Sequence, residues 1–351
     1  MENKKVLLGM SGGVDSSVSA LLLKKQGYTV IGTTLEMFGE NADILEDAKN
    51  VCDFLEIEHH KFNCKEKFKT KVIDDFIQCY SCCKTPNPCI ECNKYMKFGI
   101  MYEKAKELGC NYIATGHYAK TEYSEKYGRW VLKRSEAGRK DQSYVLWSIP
   151  KEVLGHIIFP LSDFESKDQI RKIAEENKLK VANKPDSEDI CFIPDGNYKK
   201  FLEQNSNIKP KPGNIVKESG EILGKHTGLY NYTIGQRKGL GVSYKVPLFV
   251  IGFNKTKNEV IVGEEKELYS KEILVSDINL LLVDEINEWL EVEVKTRYSA
   301  KSAKAKIIQK GNDINVIFDE PQRAITPGQS AVFYIGDIVL GGGKIMANQN
   351  K

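Results

Sequence analysis

The sequence lacks long hydrophobic runs. No stretch of eighteen apolar residues occurs among the 351, so no membrane-spanning helix and no membrane partner are expected. The first ten residues, MENKKVLLGM, do not form a signal-peptide pattern because their apolar stretch is too short. Internal repeats and low-complexity tracts are also missing. We therefore expect a globular protein of the cytoplasm.

Net charge is likewise small. The chain carries a formal charge of only +3, which neither demands nor excludes a nucleic-acid partner because local clustering matters more than the total. Residues 295–310 hold basic side chains and no acid. The basic residues are Lys295, Arg297, Lys301, Lys304, Lys306 and Lys310. Charge alone leaves two interpretations open, a solvated strand face and a surface that contacts phosphates.

Cysteine, by contrast, is plentiful and unevenly distributed. The nine cysteines are an odd number, and a chain that stays in a reducing compartment is not expected to use structural disulfides. Several crowd into one short segment: Cys79, Cys82, Cys83, Cys89 and Cys92. Such crowding indicates redox chemistry, sulfur chemistry or a metal site.

The predicted secondary structure changes along the chain. In the first third, buried-strand patterns such as Val6–Leu8 alternate with helical patterns, which predicts an α/β fold with a parallel sheet covered on both faces. Pro210, Pro212 and Gly213 mark a boundary after about residue 200. The final part alternates apolar and polar positions between glycine-rich turns, which predicts a small β-barrel or sandwich.

One glycine-rich loop carries the strongest local signal. The sequence GMSGGVDSS at 9–17 follows a predicted buried strand and precedes a predicted helix. Glycines let backbone N–H groups approach an anion, and the helix N-terminus adds unsatisfied donors and a positive dipole end. An ordinary turn of small residues is the alternative. The candidate phosphate-binding residues are Gly9, Met10, Ser11, Gly12, Gly13, Val14, Asp15 and Ser16.

Two better-known phosphate motifs are excluded. The loop lacks the Gly-Lys-Ser/Thr ending of the common nucleoside-triphosphate loop and the G-x-G-x-x-G spacing of dinucleotide sites. The segment GEILGKHT at 220–227 has one residue too few between its glycines. The loop therefore predicts a different kind of phosphate site.

Two cysteine segments form a second constellation. Prolines stiffen KTPNPCIECNK at 84–94, and Cys92 precedes a helix predicted from Asn93 onward. A position near the start of a helix would lower the pKa of the Cys92 thiol. About a hundred residues later, Cys191 lies within SEDICFI at 187–193. Alone, it would more often be a buried, inert cysteine.

Seven motifs in this order resemble one family. SGGVDSS, TPNPCIECNKYMKF, ATGHYA, KDQSYVL, SEDICFI, YTIGQRKGLG and TPGQ together are similar to the tRNA-specific 2-thiouridylases of the PP-loop ATP pyrophosphatase superfamily. The resemblance runs from Gly9 to Gln329. It implies a PP-loop catalytic domain at 1–200, a small central domain at 201–268 and a tRNA-contacting β-barrel at 269–351.

The resemblance also implies roles. The enzyme would use ATP with Mg²⁺ to adenylate the wobble uridine of tRNAs for Lys, Glu and Gln, and would release AMP and pyrophosphate. Leu35 and Gly116 would join the glycine loop in binding ATP. Cys92 would be the nucleophile and Cys191 the persulfide carrier, loaded by a cysteine desulfurase or a sulfur relay protein. Asn87, Pro88 and Cys89 would meet the target base, and the other tRNA contacts would be His117, Lys140, Asp141, Gln142, Arg297, Tyr298 and Gln329.

The chain departs from many members of the family at Cys89, where they carry Asp. Cys89, Cys92 and Cys191 could instead hold an iron–sulfur cluster with one open iron. Cys79 and Cys82 could join Cys89 and Cys92 in a zinc site, or could simply end a helix. Gly235–Gly239 could touch RNA backbone or form a turn. Other functions left open are a different PP-loop adenylating ligase, a non-catalytic RNA- or nucleotide-binding module and a zinc-stabilised structural protein.

Overall fold

A computed structural model describes residues 4–39, 42–184 and 190–347. Strands dominate the second half of the chain. The strands are β1 (Lys5–Gly9), β2 (Thr29–Glu36), β3 (Glu58–Asn63), β4 (Tyr112–Ala114), β5 (Lys120–Ser124), β6 (Arg129–Lys133), β7 (Ile157–Ile158), β8 (Gly213–Lys217), β9 (Ile222–His226), β10 (Phe249–Asn254), β11 (Glu259–Gly263), β12 (Tyr269–Leu280), β13 (Leu290–Lys295), β14 (Ala303–Lys310), β15 (Asp313–Arg323), β16 (Ser330–Ile335) and β17 (Ile338–Ile345).

Helices lie mainly before residue 206. The α-helices are α1 (Val14–Lys25), α2 (Ala42–Phe54), α3 (Lys65–Phe68), α4 (Asp74–Ser81), α5 (Pro88–Cys92), α6 (Met101–Glu107), α7 (Lys167–Glu176) and α8 (Tyr198–Asn205). Two π-helical segments make longer continuous helices, because Lys69–Ile73 joins α3 to α4 and Asn93–Ile100 joins α5 to α6. Short 3₁₀ turns occur at Gly138–Lys140, Ser143–Leu146, Lys151–His156, Leu229–Asn231 and Glu265–Leu268.

The first sheet is parallel throughout, in the order β3-β2-β1-β4-β7. Its central strand β1 is apolar because both of its faces are covered: Val6 and Leu8 belong to one core, and Leu7 belongs to the core on the opposite face. The predicted α/β fold with a covered parallel sheet is therefore confirmed. The carboxyl ends of β1 and β4 meet at the same edge, where a ligand site is expected in such sheets.

A second, smaller sheet follows in the order β10-β11-β8-β9. β11 pairs with β8 in parallel, whereas β10 with β11 and β8 with β9 are antiparallel. Ile215, Val250 and Val260 are completely buried beneath it. This sheet thus has a hydrophobic core of its own.

The final strands close on themselves. They run β12-β15-β14-β13-β16-β17, and β17 then pairs back onto β12, with Val275 opposite Ile345. Alternate residues such as Val292 and Val294 point into the interior, so the predicted β-barrel is confirmed. The hairpin β5–β6 adds to the barrel's sheet through Lys133 opposite Ile338. That addition was not predicted.

An aromatic cluster supports the helices that carry the cysteines. Phe192 lies at its centre, with ring centroids 5.8 Å from Phe68, 5.4 Å from Phe76 and 5.3 Å from Phe201. Cys92 belongs to the same buried cluster. The chain that follows Cys191 is thus anchored in the core that holds Cys92.

Candidate active site

The glycine loop joins β1 to α1 as the sequence predicts. Gly12 has a left-handed φ of +66°, and a Cβ there would lie 2.8 Å from the Cβ of Asp47, so only glycine fits. Gly13 is the N-cap residue of α1, and no side chain caps the helix. The first N–H groups of α1 are thereby left for an anion.

Serine hydroxyls fix the shape of this loop. The Ser11 N–H donates to the Ser16 Oγ at 3.3 Å, and that hydroxyl donates to the Gly13 carbonyl at 3.1 Å. The Ser17 hydroxyl donates to the same carbonyl at 2.8 Å. Both hydroxyls point to the turn itself, which makes a preformed cradle for phosphate groups.

Asp15 is held by two groups from distant parts of the chain. Its carboxylate accepts a hydrogen bond from the Tyr118 hydroxyl at 2.9 Å and forms an ion pair with Lys167 at 2.9 Å. Gly116 packs against the start of α1, because a Cβ there would lie 2.9 Å from the Asp15 carbonyl carbon. Leu35 lies at the end of β2 and is partly buried. Sequence analysis missed Lys167, which belongs to no motif.

The helix that carries Cys92 begins earlier than predicted. Asn87 caps α5 by accepting a hydrogen bond from the Cys89 N–H at 3.2 Å, and Pro88 occupies the first turn. Cys92 therefore lies inside a continuous helix and not at its start. Burial, with smaller contributions from negative charge on Cys191 and Cys89, raises the pKa of the Cys92 thiol to about 12. The predicted lowering of this pKa is wrong, because desolvation outweighs any helix-end effect.

Cys191 and Cys89 are more accessible than Cys92. Neighbouring atoms nevertheless desolvate the Cys191 thiol and, with a smaller contribution from the charge of Cys89, raise its pKa to about 11. Desolvation also raises the pKa of Cys89. Cys191 is connected to Cys92 through Phe192, which shares a buried cluster with Cys92. Ser187, Glu188 and Asp189, which precede Cys191 in its motif, lie outside the described residues.

The thiols do not form a ligand set for a single metal ion. All nine cysteines are free. Within 4–39, 42–184 and 190–347, no group of three or more His, Cys, Asp or Glu side chains is arranged to hold a metal ion. The iron–sulfur cluster considered on Cys89, Cys92 and Cys191 stays a prediction. Cys79 lies in the last turn of α4 and Cys82 is its C-cap residue, so these two end a helix, as the simpler alternative predicted.

A lysine and a histidine lie beside the cysteines. Lys97 Nζ is 3.4 Å from His117 Nε2, and His117 Nδ1 is 2.7 Å from the Thr115 hydroxyl. Burial lowers the pKa of His117 well below its usual value, and the Lys97 charge lowers it further. The ring is thus neutral at physiological pH, and its Nε2 accepts from the ammonium while Nδ1–H donates to Thr115. Sequence analysis did not single out Lys97.

The barrel contacts the loop before Cys92, residues 84–89, which we call the cysteine loop. The Gln329 Nε2 donates to the carbonyl oxygens of Thr85 at 2.8 Å and Pro86 at 3.3 Å. In return the Thr85 N–H donates to the Pro327 carbonyl at 2.9 Å. These bonds connect the loop before α5 to the turn before β16.

A buried ion pair makes a second connection from the barrel. Lys344 of β17 lies 2.9 Å from Glu91 of α5 and 3.5 Å from Asp75 of α4. Burial alone would lower the Lys344 pKa, but the two carboxylates outweigh it and raise that pKa. The helix that bears Cys92 is thereby tied to the last barrel strand.

Family models match almost the whole chain. Residues 4–195 match the tRNA methyl transferase HUP domain, 199–264 the tRNA methyl transferase PRC-barrel domain and 270–345 the aminomethyltransferase beta-barrel domain. A curated relative from Clostridioides difficile (strain 630), named tRNA-specific 2-thiouridylase MnmA, is 48% identical over 355 residues, 98% of either chain. The chain belongs to the tRNA-specific 2-thiouridylase family.

Further members of this family are equally similar. The proteins of the same name from Clostridium botulinum (strain Alaska E43 / Type E3) and Caldicellulosiruptor saccharolyticus are 49% and 47% identical to the chain. The alignments cover 99% of either chain in the first case, and 97% of this chain and 98% of the relative in the second. As for membranes, no helix in the described ranges is long and apolar enough to cross one.

Several residues that the family resemblance marks for tRNA contact are occupied inside the protein. Arg297 donates to the carbonyls of Ile234 and Ala324, and Gln329 is bonded to the cysteine loop. Asp141 is buried, where desolvation raises its pKa, and it accepts a hydrogen bond from the Ser143 hydroxyl at 2.7 Å. His117 is buried as well. The Gln142 side chain also has an internal partner, because it accepts a hydrogen bond from the Tyr118 N–H.

Two other predicted contacts lie at the protein surface. Lys140 and Tyr298 are exposed, and Lys295 lies 5.3 Å from the centre of the Tyr298 ring. Within the basic stretch, Lys306 forms an ion pair with Glu291 at 3.4 Å, and Lys304 lies opposite Glu293. The β14 part of that stretch is therefore a charge-balanced strand face, whereas its first residues remain a candidate surface for RNA.

Proposed function

We propose that this protein uses ATP to convert the wobble uridine of tRNA into 2-thiouridine, with the sulfur carried on Cys191. Membership of the 2-thiouridylase family supports the reaction. One observation carries the assignment of the two cysteines: Cys92 and Cys191 are far apart in sequence, yet Phe192, which follows Cys191, packs in the same buried cluster as Cys92. Thiols that the fold brings together can exchange sulfur.

The first step is activation of the base. A uracil carbonyl oxygen is a poor leaving group, so O2 attacks the α-phosphate of ATP to form an adenylated uridine and release pyrophosphate. The glycine loop from Gly9 to Ser16 would bind the phosphates, with Leu35 and Gly116 near the nucleoside. Asp15 is already bonded to Lys167 and Tyr118, so Mg²⁺ would be carried by the phosphates, whose charge it neutralises.

The second step transfers sulfur. The terminal sulfur of a Cys191 persulfide attacks C2 of the adenylated uridine, and the C2–O bond to AMP breaks. The Cys92 thiolate then attacks the Cys191 sulfur, which leaves a Cys92–Cys191 disulfide and a 2-thio base. An external dithiol must reduce that disulfide before a sulfur-donor protein, a cysteine desulfurase or relay, reloads Cys191.

The cysteine loop positions the base in this proposal. Asn87, Pro88 and Cys89 lie at the first turn of α5, next to the thiols. Cys89 takes the place of a carboxylate, so it can steer a proton less readily. Exposed Lys140 and Tyr298 would contact tRNA first, while His117, Asp141, Gln142, Arg297 and Gln329 would do so only after leaving their internal partners. The domain division at 200 and 268 also stays a prediction.

The test combines purified protein, ATP, a cysteine desulfurase with cysteine, and unmodified tRNA for Lys. Nucleoside mass spectrometry detects 2-thiouridine, and AMP is measured in parallel. We expect product from the wild type and from Cys110→Ser, a matched control remote from the site, and none from Cys92→Ser or Cys191→Ser. 2-Thiouridine from either variant would refute the role assigned to that cysteine, whereas a different PP-loop ligase would release AMP in the wild type and in both variants and make no 2-thiouridine in any of them.

Two further outcomes separate the remaining alternatives. AMP release without 2-thiouridine would point to a different acceptor, and no AMP at all would refute the enzymatic role of the glycine loop. An iron–sulfur absorbance after anaerobic reconstitution, together with inactivity of the metal-free protein, would overturn the persulfide step.

A further inference from the structure

Lys97 lies on the continuous helix that carries Cys92, which we call the cysteine helix. It lies in the π-helical segment Asn93–Ile100, where backbone hydrogen bonds join residues five apart. Lys97 is five residues after Cys92, so the π-helical turn brings the two onto the same side of the helix. Such π-helical turns often occur at functional sites. An ordinary α-helix would have rotated Lys97 away from the thiol.

The ammonium group of Lys97 has no counter-charge in the described part of the chain. Its hydrogen-bond partner there is His117, which is neutral. Other partly buried lysines near the site do have one: Lys167 pairs with Asp15 and Lys344 with Glu91. A half-buried cation without a carboxylate is costly, and it is typical of a site that receives an anion.

The thiols around Lys97 are the groups that need this charge. The Lys97 ammonium lowers the pKa of Cys89, of Cys92 and of Cys191, whereas burial raises each of them. His117 cannot serve, because its own pKa is too low for it to be charged. Lys97 is thus the cation common to all three sulfur atoms.

We propose that Lys97 supplies the positive charge that stabilises anionic sulfur at this site during transfer. In the sulfur step the persulfide of Cys191 loses its proton to solvent and attacks as an anion, while Lys97 keeps its own protons and screens the charge. The S–C2 bond forms as the bond from C2 to AMP breaks, and the negative charge leaves with AMP. This role rests on the proposed thiolation, but its test requires neither ATP nor tRNA.

The test measures how fast iodoacetamide alkylates Cys191 at about pH 8, followed by peptide mass spectrometry. Below its pKa the reactive thiolate fraction falls tenfold for each unit by which that pKa rises. We expect Lys97→Met to slow alkylation by about tenfold, and Lys97→Arg to stay within about twofold of the wild type because it keeps the charge.

Lys94→Met is the matched control. Lys94 is on the same helix but lies over the Tyr95 ring, 5.2 Å from its centre, so its loss removes an equal charge away from the thiols. Circular dichroism confirms that each variant is folded. The proposal would be overturned if Cys191 were alkylated as fast in Lys97→Met as in Lys94→Met. It would also be overturned if a folded Lys97→Arg slowed the alkylation of Cys191 as much as Lys97→Met does.

A second readout connects the charge to turnover. With tRNA, Lys97→Met should lower 2-thiouridine formation by about tenfold or more while AMP formation changes less, since the charge acts in the sulfur step. An equal loss of 2-thiouridine formation and AMP formation would overturn the assignment of Lys97 to the sulfur step. If the wild type makes no 2-thiouridine, only the proposed function is refuted, because the alkylation rate of Cys191 is measured without that reaction.

Discussion

Removal of the Lys344 ammonium should loosen the connection between the barrel and the cysteine helix. In Lys344→Met the side chain keeps much of its length but loses its charge. Glu91 then remains with no cation in the described structure within ion-pair distance, and Asp75 loses its contact at 3.5 Å. An unpaired carboxylate in a buried position costs free energy, because it has lost hydration without gaining a counter-charge.

The size of this effect follows from burial. Breaking a fully buried pair costs about 3–5 kcal/mol, whereas exposed pairs are worth about 0–1 kcal/mol. The Lys344 side chain is 27% exposed and that of Glu91 10%, so the pair lies between these limits. We expect Lys344→Met to lower the free energy of unfolding by about 2 kcal/mol.

The pH dependence of this contribution has a definite sign. Because the folded-state pKa of Lys344 is raised, the stabilisation is fully present below the unfolded lysine pKa of about 10.4. It is lost only as the pH rises through the folded-state value. Measurements at neutral pH therefore capture the whole effect.

The assay is a double-mutant cycle by urea denaturation. Lys344→Met, Glu91→Gln and the double variant are compared with the wild type, and the expected coupling energy is about 1–2 kcal/mol. Lys306→Met is the control: its partner Glu291 is 82% exposed, so it should change stability by less than about 0.5 kcal/mol. The reasoning would be refuted if the losses of unfolding free energy in Lys344→Met and Glu91→Gln were simply additive in the double variant. It would also be refuted if Lys344→Met were no less stable than Lys306→Met.

Other predictions concern the glycine loop and the thiols. Gly116→Ala should raise the KM for ATP about tenfold or more in an AMP-release assay, because its Cβ would collide with Asp15; an unchanged KM would contradict this. Alkylation of Cys191, whose pKa is raised to about 11, should accelerate about tenfold per pH unit up to about pH 10, and a plateau below about pH 9 would refute it. Gln329→Ala should speed hydrogen exchange at the Thr85 N–H, because the loop loses one of its bonds to the barrel and the remaining Thr85–Pro327 bond opens more often; unchanged exchange would show that the Gln329 bond is dispensable.

Much of the fold could be predicted because its signals are local. Buried apolar runs, helical periodicity and glycine turns are written within a few residues, and they give the parallel sheet, the loop after β1 and the barrel. The start of α5 was also readable: Asn87 followed by Pro88 is a helix-start signal. The prediction placed that start at Asn93 and so put Cys92 at a helix end.

Other features depend on contacts that no local pattern encodes. The desolvation of Cys92 comes from the aromatic cluster around Phe192, which assembles from several helices. Lys344 and Lys97 gain their partners only when the chain folds, and neither belongs to a motif with a known chemistry. Arg297 and Gln329 look like free polar residues in the sequence, yet both are bonded internally in the structure.

The addition of β5–β6 to the barrel has a consequence for how the protein is made. On the ribosome this hairpin emerges long before β17, so the edge of β6 remains without its partner strand until β17 has been made. Expressed alone, residues 269–351 would present the edge of β17 at Ile338 to solvent. No single cut between the two regions yields fragments that each retain all their strand neighbours, and a split gene would have to co-express both halves.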